Sequence, residues 1–343
     1  MAYDLEGDKR LDPRVKAMLA FFPVGPLTNV SSRDEVVALS NTPEALEGVA
    51  QIRAILEMSD SEEVAPSTGL RIEHREVISQ PDDNTIKLQI IRPDNEETLP
   101  CIYYIHGGGM AVLSSFDGNY RAWSRVIASK GVCVVMVEFR NSLQEGAVSG
   151  IEPFPAGLND CESGLRWTIE HAAELNIDAE KVTVAGESGG GNLSLALTMK
   201  LIRSGDVGLI KGVYALCPYI NGSWPDERYP STTENNGILL DLHNNRWTHA
   251  YGYEEFEKKN PLAWPGFATE EDVAEFPPTV ISINECDPLR DEGWAFYQLL
   301  LRAGVSARGR MVLGTSHAAE IFPIMVPDIS HSTASDMAYF ASH

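Results

Sequence analysis

Residues 186–190 read Gly-Glu-Ser-Gly-Gly and separate two segments with different residue patterns. The segment 181–185 before them is rich in β-branched residues, as in a strand, and the segment 193–202 after them repeats Leu and Met at helical spacing. This pattern predicts a strand, a tight turn and a helix. A serine at such a turn takes a strained backbone conformation that exposes its hydroxyl, while the flanking glycines let the strand and the helix approach closely. We therefore interpret Ser188 as a candidate nucleophile.

Residues 106–110 read His-Gly-Gly-Gly-Met and directly follow an apolar run at 101–105. Three glycines at the end of a strand can present backbone N–H groups to an oxyanion with no Cβ in the way. On their own these residues are equally consistent with a simple glycine turn. The serine turn later in the chain favours the oxyanion-binding interpretation. We predict a structural role for His106, whose side chain is placed to hydrogen-bond within this loop and hold it.

From residue 71 onward, short apolar runs alternate with helical patterns. The predicted strands cover residues 72–78, 85–91, 101–105, 132–137, 181–185, 212–217, 278–283 and 308–313. The predicted helices cover residues 120–129, 156–175, 193–202 and 294–301. Strands that alternate with helices of this length indicate an α/β fold with a mostly parallel central sheet, flanked by helices and joined by right-handed crossovers.

Polar residues follow the last two predicted strands. The strand at 278–283 is followed by the acidic segment 284–292, and the strand at 308–313 is followed by Gly-Thr-Ser and then His317. The carboxyl ends of parallel strands form the edge where α/β sheets place their ligands. Serine, then acid, then histidine is the chain order of the α/β-hydrolase triad.

Four carboxylates in the acidic segment compete for His317. Glu285 lies at the end of the strand, where a long side chain points to solvent or braces a neighbour. Asp291 and Glu292 follow a proline and fall in the first turn of the next helix, where the helix dipole favours negative charge without any catalytic role. Asp287 lies in the loop between them, and its short side chain is the predicted partner of the imidazole.

The composition argues against a nucleic-acid partner and against a zinc or redox site. The formal net charge of −22 over 343 residues repels phosphate backbones, so we expect no nucleic-acid partner. The acid excess is consistent with either an ordinary soluble surface or adaptation to salt. The five cysteines are widely spaced in apolar runs without a CxxC pair, which predicts buried free thiols and no zinc or redox site.

The start of the chain is polar and lacks the apolar core of a signal peptide, and no apolar run reaches the roughly 18 residues of a membrane span. We therefore expect a soluble cytoplasmic protein without stable membrane association. The sequence does not decide the oligomeric state, and a homodimer is compatible with it.

Together, the serine turn, the glycine loop, the acid and the histidine resemble the hormone-sensitive-lipase-like family of α/β-hydrolases, which includes the bacterial family IV esterases and lipases. The resemblance covers roughly residues 70–320, and the segments 106–109, 154–156 and 287–292 match in order and spacing. It implies an α/β-hydrolase fold with a helical cap and a carboxylic ester hydrolase that acts on small to medium acyl esters.

The resemblance also implies the role of each site residue. Ser188 is the nucleophile, His317 the base and Asp287 the acid of the triad. The backbone N–H groups implied for the oxyanion hole are those of Gly108, Gly109 and Gly189. No metal and no organic cofactor is expected, and the expected partner is a small-molecule ester substrate.

Residues 1–65 show helical spacing without a strand, which is consistent with either a cap or a generic N-terminal extension. The segment 219–264 places aromatic residues among Asn, Asp and Pro, which fits a substrate cleft and internal packing equally well. The resemblance assigns 1–65 to N-terminal cap helices and 66–343 to the catalytic domain, with a cap insertion at about 219–264.

The chain departs from the common family pattern at four places. They are Gly189 in place of Ala, Met110 in place of an aromatic, Asn141-Ser142 in place of Leu-Ala-Pro, and Ala318-Ala319 in place of Gly-aromatic. None of these four departures removes a reacting side chain, but several of the positions border the substrate pocket and so bear on substrate preference.

An amidase, deacetylase or lactonase using the same triad is a second interpretation. A non-catalytic ligand-binding protein on this scaffold is a third, which the presence of His317 disfavours.

Overall fold

Eight strands form one sheet in the computed structural model, which describes residues 3–22 and 24–343. In chain order they are β1 Leu70–Ser79, β2 Asn84–Pro93, β3 Leu99–Ile105, β4 Cys133–Glu138, β5 Ile177–Glu187, β6 Gly212–Leu216, β7 Thr279–Asn284 and β8 Ala307–Val312. The order across the sheet is β1-β2-β4-β3-β5-β6-β7-β8. β2 pairs antiparallel with both β1 and β4, and the other neighbours are parallel. The predicted mostly parallel α/β sheet is confirmed.

Helices connect the strands and cover the sheet. In the described part of the chain the α-helices are α1 Pro13–Leu19, α2 Arg33–Ser40, α3 Pro43–Glu57, α4 Gly118–Ala128, α5 Ala156–Glu170, α6 Gly189–Ser204, α7 Ser231–Glu234, α8 Arg246–Tyr251, α9 Tyr253–Glu257, α10 Glu270–Val273, α11 Arg290–Arg302 and α12 Pro327–Ser342. Short 3-10 helices cover Val207–Leu209, Pro265–Phe267 and Ala319–Ile321. Met1, Ala2 and Pro23, which belong to the predicted cap range, lie outside the described residues.

Both faces of the sheet are buried. Tyr103 of β3 belongs to the apolar cluster that includes residues of α5, α6 and α11, whereas Tyr104 belongs to the cluster that includes residues of α4 and α12. Successive side chains of a strand point to opposite faces, so the two clusters lie on opposite sides of the sheet. A parallel sheet covered in this way needs apolar residues on both faces, which explains the continuous apolar runs.

Two of the longer helices differ from the prediction, and the short helices α7 to α10 were not predicted either. The helix starting at Ala156 ends at Glu170 rather than at 175, because the chain must turn before β5 begins at Ile177, and Asn176 takes a left-handed φ of 50° in that turn. α12 was not predicted at all. Its buried face carries mainly small residues such as Ser330, Thr333 and Ala334, so it shows little large-apolar periodicity.

The five cysteines are free and buried, as predicted.

The N-terminal helices pack in two different places. α1 buries Val15 and Met18 in a cluster that also contains Cys286 and Ala319, beside the acidic and histidine loops. α2 packs against α8 of the 219–264 segment, and Val36 is its buried contact.

The turn between β5 and α6 lies against the end of β3 with no room for side chains. A Cβ added to Gly186 would lie 2.5 Å from the carbonyl oxygen of Ile105, and a Cβ added to Gly190 would overlap that same oxygen. Both obstacles are backbone atoms, so no side-chain rotation relieves them. These glycines let the serine turn approach the neighbouring strand, as the sequence predicted.

We expect Gly190→Ala to destabilise the protein by about 3 kcal/mol or more, because overpacking against fixed backbone costs about 1–3 kcal/mol even in side-chain cores. The matched control is Gly208→Ala in the exposed 3-10 helix, where an added Cβ meets no atom within 4 Å. Urea unfolding followed by circular dichroism measures both changes. Equal midpoints for the two variants would contradict the close approach.

Candidate active site

Ser188 lies at the turn between β5 and α6 in a strained backbone conformation. Its φ is 56° and its ψ is −118°, in the left-handed half of the map that non-glycine residues rarely enter. Its N–H donates to the carbonyl of Leu216 at 3.0 Å, and its carbonyl accepts from the N–H groups of Asn192 and Tyr219, each at 3.0 Å. These contacts hold the turn in place. The strand, turn and helix expected around this serine are therefore present.

His317 and Asp287 form a buried hydrogen-bonded pair. Nδ1 of His317 lies 2.7 Å from Oδ2 of Asp287, and both side chains are almost inaccessible. The other carboxylate oxygen accepts from the N–H of Leu289 at 2.8 Å. Because Nδ1–H donates to the carboxylate, Nε2 is the nitrogen left to accept a proton.

Charge and burial act in opposite directions on the imidazole. Burial lowers the pKa of His317, but the neighbouring Asp287 carboxylate, together with Glu187 and Glu320, raises that pKa above its ordinary value of 6.5. The neutral form, which can accept a proton, therefore predominates only at a pH above this ordinary value.

The other carboxylates of the acidic segment have different partners. Oε2 of Glu285 accepts from the N–H of Gly314 at 2.8 Å, so this side chain braces the loop before His317, as predicted. Asp291 pairs with Arg290 and accepts from the N–H of Ser231 at 2.8 Å. The structure therefore places Asp287, and neither of these two carboxylates, beside the imidazole.

Glu292 has a role that the sequence did not reveal. It is fully buried on α11 and accepts from the N–H of Ile220 and from Nε1 of Trp224, each at 2.7 Å. Burial raises the pKa of Glu292 to about 8, although these two donors and the N–H of Asn221 oppose this shift. The side chain fastens the start of the 219–264 segment to the helix that follows Asp287.

The glycine loop lies directly against the serine turn. Gly108 and Gly109 have φ values of +92° and +63°, and the carbonyl of Gly108 accepts from the N–H of Ala111 at 3.0 Å. A Cβ added to Gly189 would lie 2.6 Å from the nitrogen of Met110 and 2.8 Å from that of Gly109. The N–H groups of Gly108, Gly109 and Gly189 donate to no acceptor within residues 3–22 and 24–343. The structure thus brings the three predicted oxyanion-binding residues to one place.

Comparison with known proteins identifies the family. A family model described as the α/β hydrolase fold matches residues 102–321. The chain belongs to this family. Carboxylesterase NlhH of Mycobacterium tuberculosis is 30% identical over 338 residues, covering 96% of this chain and 94% of that protein.

Solved structures resemble this α/β-hydrolase over its whole length. Esterase Est22 is 56% identical with a TM-score of 0.98, covering 99% of each chain. Brefeldin A esterase, described as a bacterial homologue of human hormone-sensitive lipase, is 34% identical with a TM-score of 0.87, covering 98% of this chain and 94% of that one. The assignment to the hormone-sensitive-lipase-like family is confirmed.

His106 of this hydrolase is buried within the glycine loop, where a structural role was predicted. Its Nδ1 lies 2.9 Å from the carbonyl oxygen of Gly107, and its ring stacks on Phe139 with 4.3 Å between centroids. Burial lowers the pKa of His106 below its ordinary value, although Glu138 opposes the shift. A neutral, stacked imidazole fits the predicted role of holding the loop.

Four aromatic residues of the 219–264 segment are explained by internal packing. Tyr219, Trp224, Tyr251 and Trp264 are all buried and contact one another, with Tyr219 stacked on Trp224 at 4.5 Å. Trp247 of α8 differs because it is only half-buried. A Cβ added to Gly109 would lie 3.3 Å from its ring, so this tryptophan lies over the glycine loop of the hydrolase.

One cluster of side chains in the described part of the hydrolase has metal-ligand geometry. The Cys217 sulfur, an Asp287 carboxylate oxygen and a His317 ring nitrogen lie within 4.8 Å of one another. The hydrogen bond between the acid and the histidine accounts for two of these groups, and burial raises the pKa of the Cys217 thiol well above its ordinary value. We interpret the cluster as a histidine–carboxylate pair beside a protonated thiol.

Within the described residues, no helix is both long enough and apolar enough to cross a membrane.

Proposed function

We propose that this α/β-hydrolase is a carboxylic ester hydrolase that transfers the acyl group of its substrate first to Ser188 and then to water. The observation that carries the proposal is the buried 2.7 Å contact between His317 Nδ1 and Asp287 Oδ2, at the same sheet edge as the strained serine. The relatives NlhH and Est22 are named as esterases, which favours an ester over an amide or a lactone as the substrate.

The first chemical step is attack on the ester carbonyl. His317 accepts the proton of the Ser188 hydroxyl at Nε2 as the oxygen attacks, and it later returns this proton to the leaving alcohol. Asp287 accepts the Nδ1–H, so it holds the required tautomer and stabilises the imidazolium that forms. The raised pKa of His317 makes the imidazole a stronger base than free histidine.

The tetrahedral intermediate carries a negative oxygen that needs hydrogen-bond donors. The N–H groups of Gly108, Gly109 and Gly189 supply them, and each such donor contributes about 2.7–4 kcal/mol in enzymes where it has been removed. Because these groups have no acceptor within the described protein, they need not break an internal hydrogen bond to bind the oxyanion. A water activated by His317 then resolves the acyl-enzyme, and no metal or organic cofactor takes part.

We also propose that residues from the N-terminal segment and from the 219–264 segment together form the cap. Val36 of α2 and Ala250 of α8 share one apolar cluster with Ala111, which follows the glycine loop. This packing joins both segments to the loop that binds the oxyanion. Trp247 on α8 then borders the place where the substrate carbonyl binds.

The cytoplasm is the proposed location, because five buried free cysteines without a disulfide fit a reducing compartment. The proposed substrates are small-molecule esters.

Ser188→Ala should leave a folded protein whose ester turnover is lower by several orders of magnitude, as removal of a triad nucleophile does. Release of p-nitrophenol from a short-chain p-nitrophenyl ester measures this loss. An organophosphonate should label the wild type once, and peptide mass spectrometry should find the label on Ser188. A label on another serine would show that the nucleophile is misassigned.

Asp287→Asn should lower turnover about 10⁴-fold near neutral pH, because the amide permits the wrong imidazole tautomer. The matched controls Glu285→Gln and Asp291→Asn should change turnover less than about tenfold, since both lie away from the imidazole. Steady-state kinetics on one ester compares the three variants. A large loss of turnover in Glu285→Gln together with a small loss in Asp287→Asn would overturn the assignment of the triad acid.

Trp247→Ala should change the preference between two esters of different acyl length by about tenfold or more, because one methylene in an apolar pocket changes kcat/KM by about 10–200-fold. Trp294→Ala is the control, since that side chain is 46% exposed on α11. The ratio of kcat/KM values across an acyl-length series measures the effect. An unchanged ratio in Trp247→Ala would place this residue outside the substrate pocket.

A further inference from the structure

Glu187, the residue before Ser188, is a buried carboxyl group that the proposed mechanism does not use. It is 1% exposed, and three hydrogen-bond donors converge on it. Oε1 accepts from the N–H of Gly107 at 2.6 Å and from the hydroxyl of Tyr120 at 2.7 Å, and Oε2 accepts from the hydroxyl of Tyr104 at 2.5 Å. A buried carboxyl group with three short hydrogen bonds is costly to maintain unless the contacts serve a purpose.

One of the three donors belongs to the oxyanion loop. Gly107 is the first glycine of that loop, and a Cβ added to it would lie 2.5 Å from Oε1 of Glu187. On the other side of the same residue, the carbonyl of Gly107 lies 2.9 Å from Nδ1 of His106. The loop is therefore held at both polar groups of Gly107, immediately before the two glycines whose N–H groups have no acceptor within the described residues.

All three partners of Glu187 are hydrogen-bond donors, which favours the ionised form of its carboxyl group. An ionised carboxylate only accepts hydrogen bonds, so it satisfies two hydroxyls and one N–H at once. A protonated carboxyl group must donate its own proton, and a neighbouring donor then has to turn away or lose its partner. The N–H of Gly107 cannot turn without moving the loop, and its bond to a neutral carboxyl oxygen is weaker than its bond to a carboxylate.

We infer that Glu187 is a positioning residue whose ionised carboxylate holds the glycine loop against the serine turn, so that the N–H groups of Gly108 and Gly109 face the substrate oxyanion. The inference rests on the proposed ester hydrolysis. According to this inference, the reaction depends on the ionised form of Glu187 as well as on the neutral imidazole of His317.

The titratable groups that face Glu187 come from four elements. They are Tyr104 of β3, Tyr120 of α4, Cys217 after β6 and His317 after β8. Burial raises the pKa of both tyrosines and of the thiol well above their ordinary values, so none of the three titrates near neutral pH. Burial also raises the pKa of Glu187 to about 7, although the hydrogen bonds from its three donors act to lower this pKa. Glu187, and His317 with its raised pKa, are therefore the two members of this group left to shape the acid side of the pH profile.

The pH dependence of kcat/KM tests the inference. Activity is highest with an ionised Glu187 and a neutral His317, so the wild-type plot of log kcat/KM against pH should become steeper than a slope of one on its acid side. Glu187→Gln removes one titrating group, and its acid limb should have a slope of one. This limb should also move to lower pH, because the negative charge of Glu187 raises the pKa of His317. We expect kcat near the optimum to fall about tenfold, which corresponds to the loss of one hydrogen bond.

A tyrosine pair on β3 supplies a second variant with a matched control. Tyr104→Phe removes a donor that lowers the pKa of Glu187, so the step of the acid limb that belongs to Glu187 should move to higher pH by about one unit. Tyr103→Phe is the control. Its hydroxyl donates to the carbonyl of Cys161 on the opposite face of the sheet, so its pH profile should match that of the wild type.

The outcomes separate this inference from the proposed function. Circular dichroism first checks that each variant is folded; if Glu187→Gln is not, the tyrosine pair decides. An acid limb no steeper than one in the wild type, a limb steeper than one in folded Glu187→Gln, or equal profiles for Tyr104→Phe and Tyr103→Phe would each overturn the role of Glu187. Esterase activity that survives in Ser188→Ala would instead overturn the proposed function.

Discussion

The close approach of the β5–α6 turn to the end of β3 is the constraint on which the rest of the site depends. Gly186 and Gly190 face the Ile105 carbonyl with no space for a Cβ, and a Cβ added to Gly189 would lie 2.6 Å from the nitrogen of Met110. Backbone contact at these points brings the strained Ser188 within reach of the glycine loop. A side chain at any of the three glycines would push Ser188 away from the glycine loop, because the nearest atoms to an added Cβ are all backbone atoms.

Three buried carboxyl groups then secure three different parts of the site. Asp287 orients the imidazole, Glu187 holds the first glycine of the loop, and Glu292 fastens the start of the 219–264 segment. Burying a carboxyl group costs free energy that its hydrogen bonds only partly offset, as the raised pKa values of Glu187 and Glu292 show. Such costly groups are concentrated where the geometry must be exact to a few tenths of an ångström.

Much of the fold was predictable because its signals are local. The β-branched runs of the strands, the glycines of the serine turn and the glycine loop each act over a few residues, and they are read directly from the chain. The helix α12 was missed for a local reason too, since its buried face consists mainly of small residues. The sequence did not decide whether the aromatic residues of the 219–264 segment line a cleft or pack in a core. Their burial assigns Tyr219, Trp224, Tyr251 and Trp264 to the core.

The sequence by itself determined the α/β class, the order of the strands along the chain and the candidate residues Ser188, Asp287 and His317. Only the tertiary structure decided which side chains meet. Glu187 contacts Gly107 across 80 residues of chain, and Glu292 contacts Ile220 across 72. No local pattern encodes these pairs, because a carboxyl group that is solvated in an isolated peptide acquires its partners and its raised pKa only when the folded sheet brings its strand ends together and excludes water.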